Sequence, residues 1–368
     1  MHAPASAAST GGTVHAVRTA DGTRRWQRDG GAGAPPKLWG VVDGLLLAPD
    51  ALAEALDVRT GEPWPVPDAW PGTTLWYAVA GRRLATLHRV DGVDRYELRL
   101  RTLPDGSAPR TRKSAPHWHR PAALGSALLL APEPGTLVDD VTCLDAATGN
   151  TRWTYDGLGS DAKAVAAPLA LPGRGGRAAR FALLSDTGDL HLVAARDGKR
   201  LARRALGIAA GRGTTALGQA RGTGLVLGGG RLVAFDPDDG AVRWNRPTAG
   251  LAASWPSGPG GAAAPVTADG VLLHWADPGT LEAVDLADGG RRLWAAAFDA
   301  TAQCPPAVGG GVVYVTAGRE CRALPPRGGA PLARWRLDAE ATALAADASG
   351  WYALLGGRSV RAVNAPSV

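Results

Sequence analysis

Four consecutive residues, His117-Trp118-His119-Arg120, form the densest cluster of reactive side chains in the sequence. In an extended backbone alternate side chains share a face, so His117 and His119 would point the same way and could bind a metal or an anionic ligand. No third ligand follows at zinc-like spacing. The reading the spacing favours is therefore a solvated connection ahead of an inner strand, with Trp118 packed on a neighbouring sheet and no metal bound. Asp139-Asp140 is an adjacent carboxylate pair that would need burial to act as a dyad, and it reads as a loop charge pair. Cys143, Cys304 and Cys321 contain no C-x-x-C spacing, and their odd number argues against a disulfide framework. Cys304 and Cys321 could approach within one sheet, but nothing in their spacing fixes a bond. The chain has no G-x-S-x-G and no H-E-x-x-H. Asp197-Gly198-Lys199-Arg200 lacks the upstream Gly and the Ser/Thr of a phosphate loop. Gly228-Gly229-Gly230 and Gly173-Arg174-Gly175-Gly176 read as hairpin turns, because no helix follows either of them. No catalytic residue emerges, and the expectation is a protein that is not an enzyme.

The surrounding composition describes what must hold these residues. Of 368 residues, 45% are hydrophobic, enough for a substantial core, while 50 Gly and 28 Pro are too many for a helical bundle. Many short strands joined by tight turns fit that balance. The formal charge is +6. Its largest basic run is Arg110-Thr111-Arg112-Lys113, and elsewhere arginines alternate with acids, which reads as a solvated surface without nucleic-acid partners. The first residues, MHAPASAASTGG, lack the basic and apolar regions of a signal peptide, and the longest apolar candidate, 122–138, is broken by Glu133 and by Gly and Pro. The expectation is a cytoplasmic protein without membrane insertion, or an extracytoplasmic one if an upstream segment is missing.

One pattern recurs along the chain: an alternating strand, a turn ending in Gly, then a strand carrying Trp. Leu144-Asp145-Ala146-Ala147-Thr148-Gly149 precedes Trp153, and Phe235-Asp236-Pro237-Asp238-Asp239-Gly240 precedes Trp244. Similar turns precede Trp26, Trp64 and Trp294; turns at Gly106 and Gly198 have lost the Trp, and the copy at Gly329 leads less regularly to Trp335. Taking Gly22, Gly61, Gly106, Gly149, Gly198, Gly240, Gly289 and Gly329 as anchors, the gaps run from 39 to 49 residues. That is the length of one four-stranded propeller blade, about 40–50 residues. The Asp four residues before Gly can accept backbone N–H groups, the Gly supplies positive φ, and the Trp offers a flat surface to the adjacent sheet. Trp70, Trp76 and Trp255 lie outside this position and read as core filling.

A second hairpin lies between anchors, seen in Pro305 to Val315, Pro265 to Leu273 and Ala122 to Leu130. The fold class expected is all-β: an eight-bladed propeller of four-stranded antiparallel blades, seven-bladed as the alternative, closed by N- and C-terminal strands. Residues 1–12 would be a poorly ordered leader and 13–368 a single domain. Val14-His15-Ala16-Val17 and Val360-Arg361-Ala362-Val363 both look like third strands, so one of them is spare.

The ten residues Leu144 to Trp153 are close to ideal for the repeat of pyrroloquinoline-quinone (PQQ)-type propellers, and the resemblance spans nearly the whole chain. It implies an eight- or seven-bladed ring of a kind used by quinone-dependent alcohol dehydrogenases, by the scaffold lipoprotein of outer-membrane barrel assembly, and by sensor domains of bacterial Ser/Thr kinases. The dehydrogenases of this family use vicinal cysteines over the quinone, a calcium-binding Glu/Asn/Asp set and a catalytic Asp; no two cysteines are adjacent here. PQQ is thus suggested by the resemblance alone, and no cofactor is expected. The function expected is a monomeric, non-catalytic binding or scaffold module for a protein or peptide. A quinone-dependent oxidoreductase or the sensor half of a receptor kinase are the alternatives, since fold alone does not choose among them.

Overall fold

Among the described residues of the computed structural model every regular element is a β-strand. The structure describes residues 5–10, 13–18, 23–29, 40–47, 55–64, 72–90, 95–103, 105–107, 109–114, 118–132, 140–158, 164–173, 176, 178–210, 215–248, 255, 264–277, 279–299, 304–348, 350–355 and 359–364. Among them the strands form six four-stranded antiparallel sheets, 72–114, 118–155, 169–205, 216–247, 266–297 and 307–336. Three further sheets, 5–29, 40–57 and 341–364, have three strands. No helix among the described residues is long and apolar enough to cross a membrane.

Ala5–Thr10 is a strand paired with Thr13–Arg18. The chain divides into two compact units, residues 67–265 and residues 1–66 with 266–368. One expectation needs correction. The terminal segments do not share a sheet: Thr13–Arg18 and Ser359–Asn364 belong to separate three-stranded sheets.

Within each unit, apolar clusters join consecutive sheets. Cys143, Trp153 and Tyr155 pack with Phe181 and Leu183 of the following sheet, and Leu98 and Leu100 pack with Leu128, Leu130 and Leu144. Leu273 and Trp294 pack with Val313 and Val315. A strand buried on both faces must be apolar on both, as Ala127–Pro132 and Thr223–Gly228 are.

The turn expected from sequence is built as its residues require. Asp145 Oδ1 accepts the N–H groups of Ala147 and Thr148, each at 2.9 Å, and the Gly149 N–H returns to the Asp145 carbonyl at 2.7 Å. Gly149 sits at φ +77°, a region a side chain rarely adopts. Asp57 makes the same set of bonds; Asp236 accepts from the Asp238 N–H and from the Gly240 N–H through its carbonyl, and Asp285 Oδ1 accepts from Ala287 and Asp288. In the last case the structural counterpart of Gly149 is Gly290, not Gly289: Asp285 N–H bonds Arg291 O as Asp145 N–H bonds Asn150 O. This restores the four-residue step to Trp294. A β-bulge precedes each such Trp, leaving Arg25, Arg152, Arg243 or Leu293 without a partner across the strand pair. Bulged Arg152 and Arg243 turn back onto Asp145 and Asp236. The hydrogen bond from Arg152 is the main reason the Asp145 carboxyl lies below its ordinary pKa.

The last strand then meets the next sheet's turn. The Trp26 indole N–H donates to the Val58 carbonyl at 2.8 Å, Trp153 to Ala195 at 3.1 Å, and Trp294 to Pro326 at 2.9 Å. Each acceptor lies three residues before a turn glycine: Gly61, Gly198 or Gly329. A Cβ on those glycines would lie 2.7, 2.7 and 2.9 Å from the indole or its Cβ. Arginine does related work where Trp is absent. Arg112 donates to the Gly149 carbonyl at 3.3 Å, and buried Arg180 donates to the Asp238 carbonyl.

In residues 67–265 the last strands, Arg110–Ser114, Thr151–Tyr155, Arg200–Ala205 and Val242–Pro247, carry basic residues and no Asp or Glu. The acids are held in turns and on inner strands.

Replacing Trp153 by Ala should cost about 3–5 kcal/mol, as truncation of a buried aromatic does. Trp153→Phe keeps most of the area and loses the N–H donor, so it should cost less than Trp153→Ala in denaturant melts. Equal costs would show that the ring surface contributes nothing to holding this junction.

Candidate functional site

His117 lies outside the described residues. Trp118, His119 and Arg120 are not ahead of an inner strand but begin one, Trp118–Leu124, paired through Trp118 with Pro132 and through His119 with Ala131. The register shifts between His119 and Pro121, which leaves Arg120 at a bulge. The side chains of these three residues lie outside the described set. Asp139 does too, and Asp140 is exposed.

The strongest titratable cluster among the described residues lies on sheet 72–114. Its second and third strands alternate, Ala85 and Leu87 facing one way and Thr86 and His88 the other. His88 stands opposite Glu97 and Thr86 opposite Arg99. His88 Nδ1 shares a 3.2 Å hydrogen bond with Thr74 Oγ1, and Nε2 one of 3.0 Å with Thr86 Oγ1. Glu97 pairs with Arg95 at 3.3 Å and with Arg99 at 3.5 Å. His88, Glu97 and Arg101 are all buried. The signal for this polar face was present in Tyr96 to Thr102, where Glu97, Arg99 and Arg101 recur at every second position of a strand.

Two further buried histidines have polar partners. His191 Nδ1 and the Tyr155 hydroxyl share a hydrogen bond of 2.8 Å. His274 lies opposite Glu282, with Nε2 3.5 Å from Oε2, and Arg292 bonds the other carboxylate oxygen at 3.0 Å. The pair His274 and Glu282 thus repeats the arrangement of His88 and Glu97 on another sheet.

These environments set what the side chains can do. Burial, reinforced by Arg99 and Arg101, lowers His88 to about 2, and burial with Arg203 lowers His191 to about 4. Both imidazoles are neutral at pH 7 and, with pKa values so far below it, are weak bases. Burial pushes the thiols of Cys143 and Cys321 up to about 12, so neither is a ready nucleophile. All three cysteines are free and buried, and Cys304 Sγ lies 3.1 Å from Thr316 Oγ1. Among the described residues no group of three or more His, Cys, Asp or Glu side chains could hold a metal ion. With no adjacent cysteines, the described residues do not fit the donor set of a calcium-quinone site.

The lowered histidines make stability pH-dependent. In the unfolded chain each imidazole takes up a proton near pH 6.5, whereas in the folded chain it does so only near 4 or 2. Stability should therefore be full above pH 6.5 and fall as pH drops below it, by about 3 kcal/mol per histidine at pH 4. His191→Gln should reduce the slope of unfolding free energy against pH between 6.5 and 4.5 by about one proton's worth. An unchanged slope would contradict the burial of a neutral imidazole at position 191.

The family model described as outer membrane protein assembly factor BamB matches residues 10–251 and 228–364. No curated protein matches. Among solved structures, BamB from Moraxella catarrhalis is similar at 16% identity and TM-score 0.52, over 96% of this chain and 88% of that one. The computationally designed Ika8 protein is similar at 14% identity and TM-score 0.57, over 99% and 97%. Quinohemoprotein alcohol dehydrogenase ADHIIG from Pseudomonas putida HK5 matches at 14% and 0.51, over 90% and 69%. At such identities the structural likenesses establish a propeller-type fold and no activity. The two overlapping family matches cover nearly the whole chain, which therefore belongs to the BamB family of PQQ-like repeat proteins.

Proposed function

We propose that this chain is a non-catalytic binding module whose partner is a protein segment. The observation that carries this reading is the state of its titratable side chains. His88 and His191 are buried and neutral, and the Cys143 and Cys321 thiols are raised far above neutrality, so the groups best suited to proton transfer or nucleophilic attack are held in unreactive forms. Sheets fastened turn to strand form a stiff frame, and stiff frames present surface segments to partners without paying to order them. A family whose described member is an outer membrane protein assembly factor agrees with a role in assembling other chains. In this reading the module acts as a monomer and carries no quinone. Its compartment is that of its partner.

The experiment sets catalysis directly against binding. Purified protein is supplied with pyrroloquinoline quinone and calcium, and dye reduction is followed with a panel of alcohols. The expected rate equals that of the protein-free blank. Quinone-dependent turnover that scales with protein concentration would overturn the proposal in favour of an oxidoreductase.

A further inference from the structure

In five sheets the outer strand places a tryptophan directly across from a small residue of the third strand: Trp26 opposite Ala16, Trp153 opposite Cys143, Trp244 opposite Ala234, Trp294 opposite Ala283 and Trp335 opposite Cys321. All five small residues are buried. Two sheets whose outer strand lacks the Trp hold leucine in the facing position: Leu100 stands opposite Arg110, and Leu192 opposite Ala202. The match is one of size. Directly opposed Cβ atoms lie about 5 Å apart, so a small residue leaves room for the wide indole and a leucine takes that room.

Sheet 341–364 has such a third strand, and among the described residues it has no fourth. Ser359–Asn364 pairs there with Gly350–Leu355 alone. Its Val360-Arg361-Ala362-Val363 repeats Val14-His15-Ala16-Val17 in three of four positions. Tyr352 stands opposite Ala362 as Leu129 stands opposite Cys143, so Ala362 is the counterpart of Cys143 and Ala16. Val363 packs on the cluster that holds Tyr314 and Trp351, whereas Ala362, on the opposite face, is exposed. The second side of an edge strand presents a row of backbone N–H and C=O groups ready to pair. The outer strands described elsewhere in the chain are each bonded to a third strand of their own, and the five tryptophans already face their small residues. A second copy of the chain could fill this edge only by giving up one of those strands.

We propose that Ser359–Asn364 receives an extended segment of a partner protein, which pairs with it as a fourth strand and places a tryptophan opposite Ala362. Main-chain hydrogen bonds would supply the pairing, and the small residue would supply the selectivity. The inference rests on the binding-module reading and gives that module a docking edge and its partner a chemistry.

The test titrates the full chain into the fluorescein-labelled peptide Gly-Asn-Thr-Arg-Trp-Thr-Tyr-Asp, the sequence of residues 149–156, followed by anisotropy. A second peptide has Ala in place of Trp. Two more carry N-methyl groups on alternate backbone nitrogens, one for each alternate set. The Trp peptide should bind about tenfold or more tightly than the Ala peptide. Methylation of one alternate set should abolish binding and methylation of the other should spare it, because only one set of N–H groups faces the edge. Ala362→Leu copies the residue found at positions 100 and 192, and it should weaken Trp-peptide binding about tenfold without lowering the melting temperature. No binding, equal binding of the Trp and Ala peptides, equal effects of the two methylated sets, or binding undiminished by Ala362→Leu would overturn the proposal. So would dimerisation of the chain that excludes the peptide, which would give the edge to a second copy. The binding-module reading survives each of these results and fails separately, through quinone-dependent alcohol oxidation.

Discussion

A tryptophan ring laid on a glycine turn, with its one N–H given to a carbonyl of that turn, is the contact from which the architecture follows. A twisted sheet of three or four strands has two faces and cannot bury either alone. The contact between Trp153 and the 194–199 turn solves this at one edge, because it fixes where the next sheet begins and how closely it lies. The turn must then be free of side chains at its left-handed position, so Gly198 is required twice: by its φ of +72° and by the ring beside it. The Asp-bonded turn, the positive-φ glycine and the Trp four residues later occur together at Gly149, Gly240 and Gly290, while the turn at Gly198 keeps its glycine without the Asp or the Trp.

Polar residues are distributed in a way that serves the same frame. His88 and His191 lie buried within sheets beside hydroxyl partners, and burial lowers the pKa of both. Carboxylates close turns or pair with arginines of their own sheet, as Asp189 does with Arg203. In residues 67–265 the last strands of the sheets carry basic residues and no Asp or Glu.

The sequence was legible where side-chain chemistry and backbone geometry coincide. Asp145, Gly149 and Trp153 announce a turn and a contact by type and spacing alone, and the structure builds both. The hairpin through Gly310 and Gly311 could be read for the same reason, both residues having positive φ. Closure through the chain ends could not be judged, because both ends carry third-strand sequences and local alternation does not say which strands pair. The anchor at Gly289 was misplaced by one residue because Gly289 and Gly290 are both glycines with positive φ; only the hydrogen bond from Asp285 to Arg291 tells them apart. The polar face of His88, Glu97 and Arg101 was missed although its period of two was visible, since charged residues at alternate positions ordinarily mark the solvent side of a strand. The cluster from His117 to Arg120 stood out by residue type, and type alone does not report burial.

The central contact is tested most directly by a double-mutant cycle on Trp153→Ala and Gly198→Ala, read by denaturant unfolding. Backbone strain from the new Cβ at position 198 is present in both backgrounds and cancels, whereas its collision with the indole exists only when Trp153 is present. The account predicts that Gly198→Ala costs at least about 1 kcal/mol less in the Trp153→Ala background than in the parent protein. Additive costs would mean that the ring does not lie on the turn and would contradict the account.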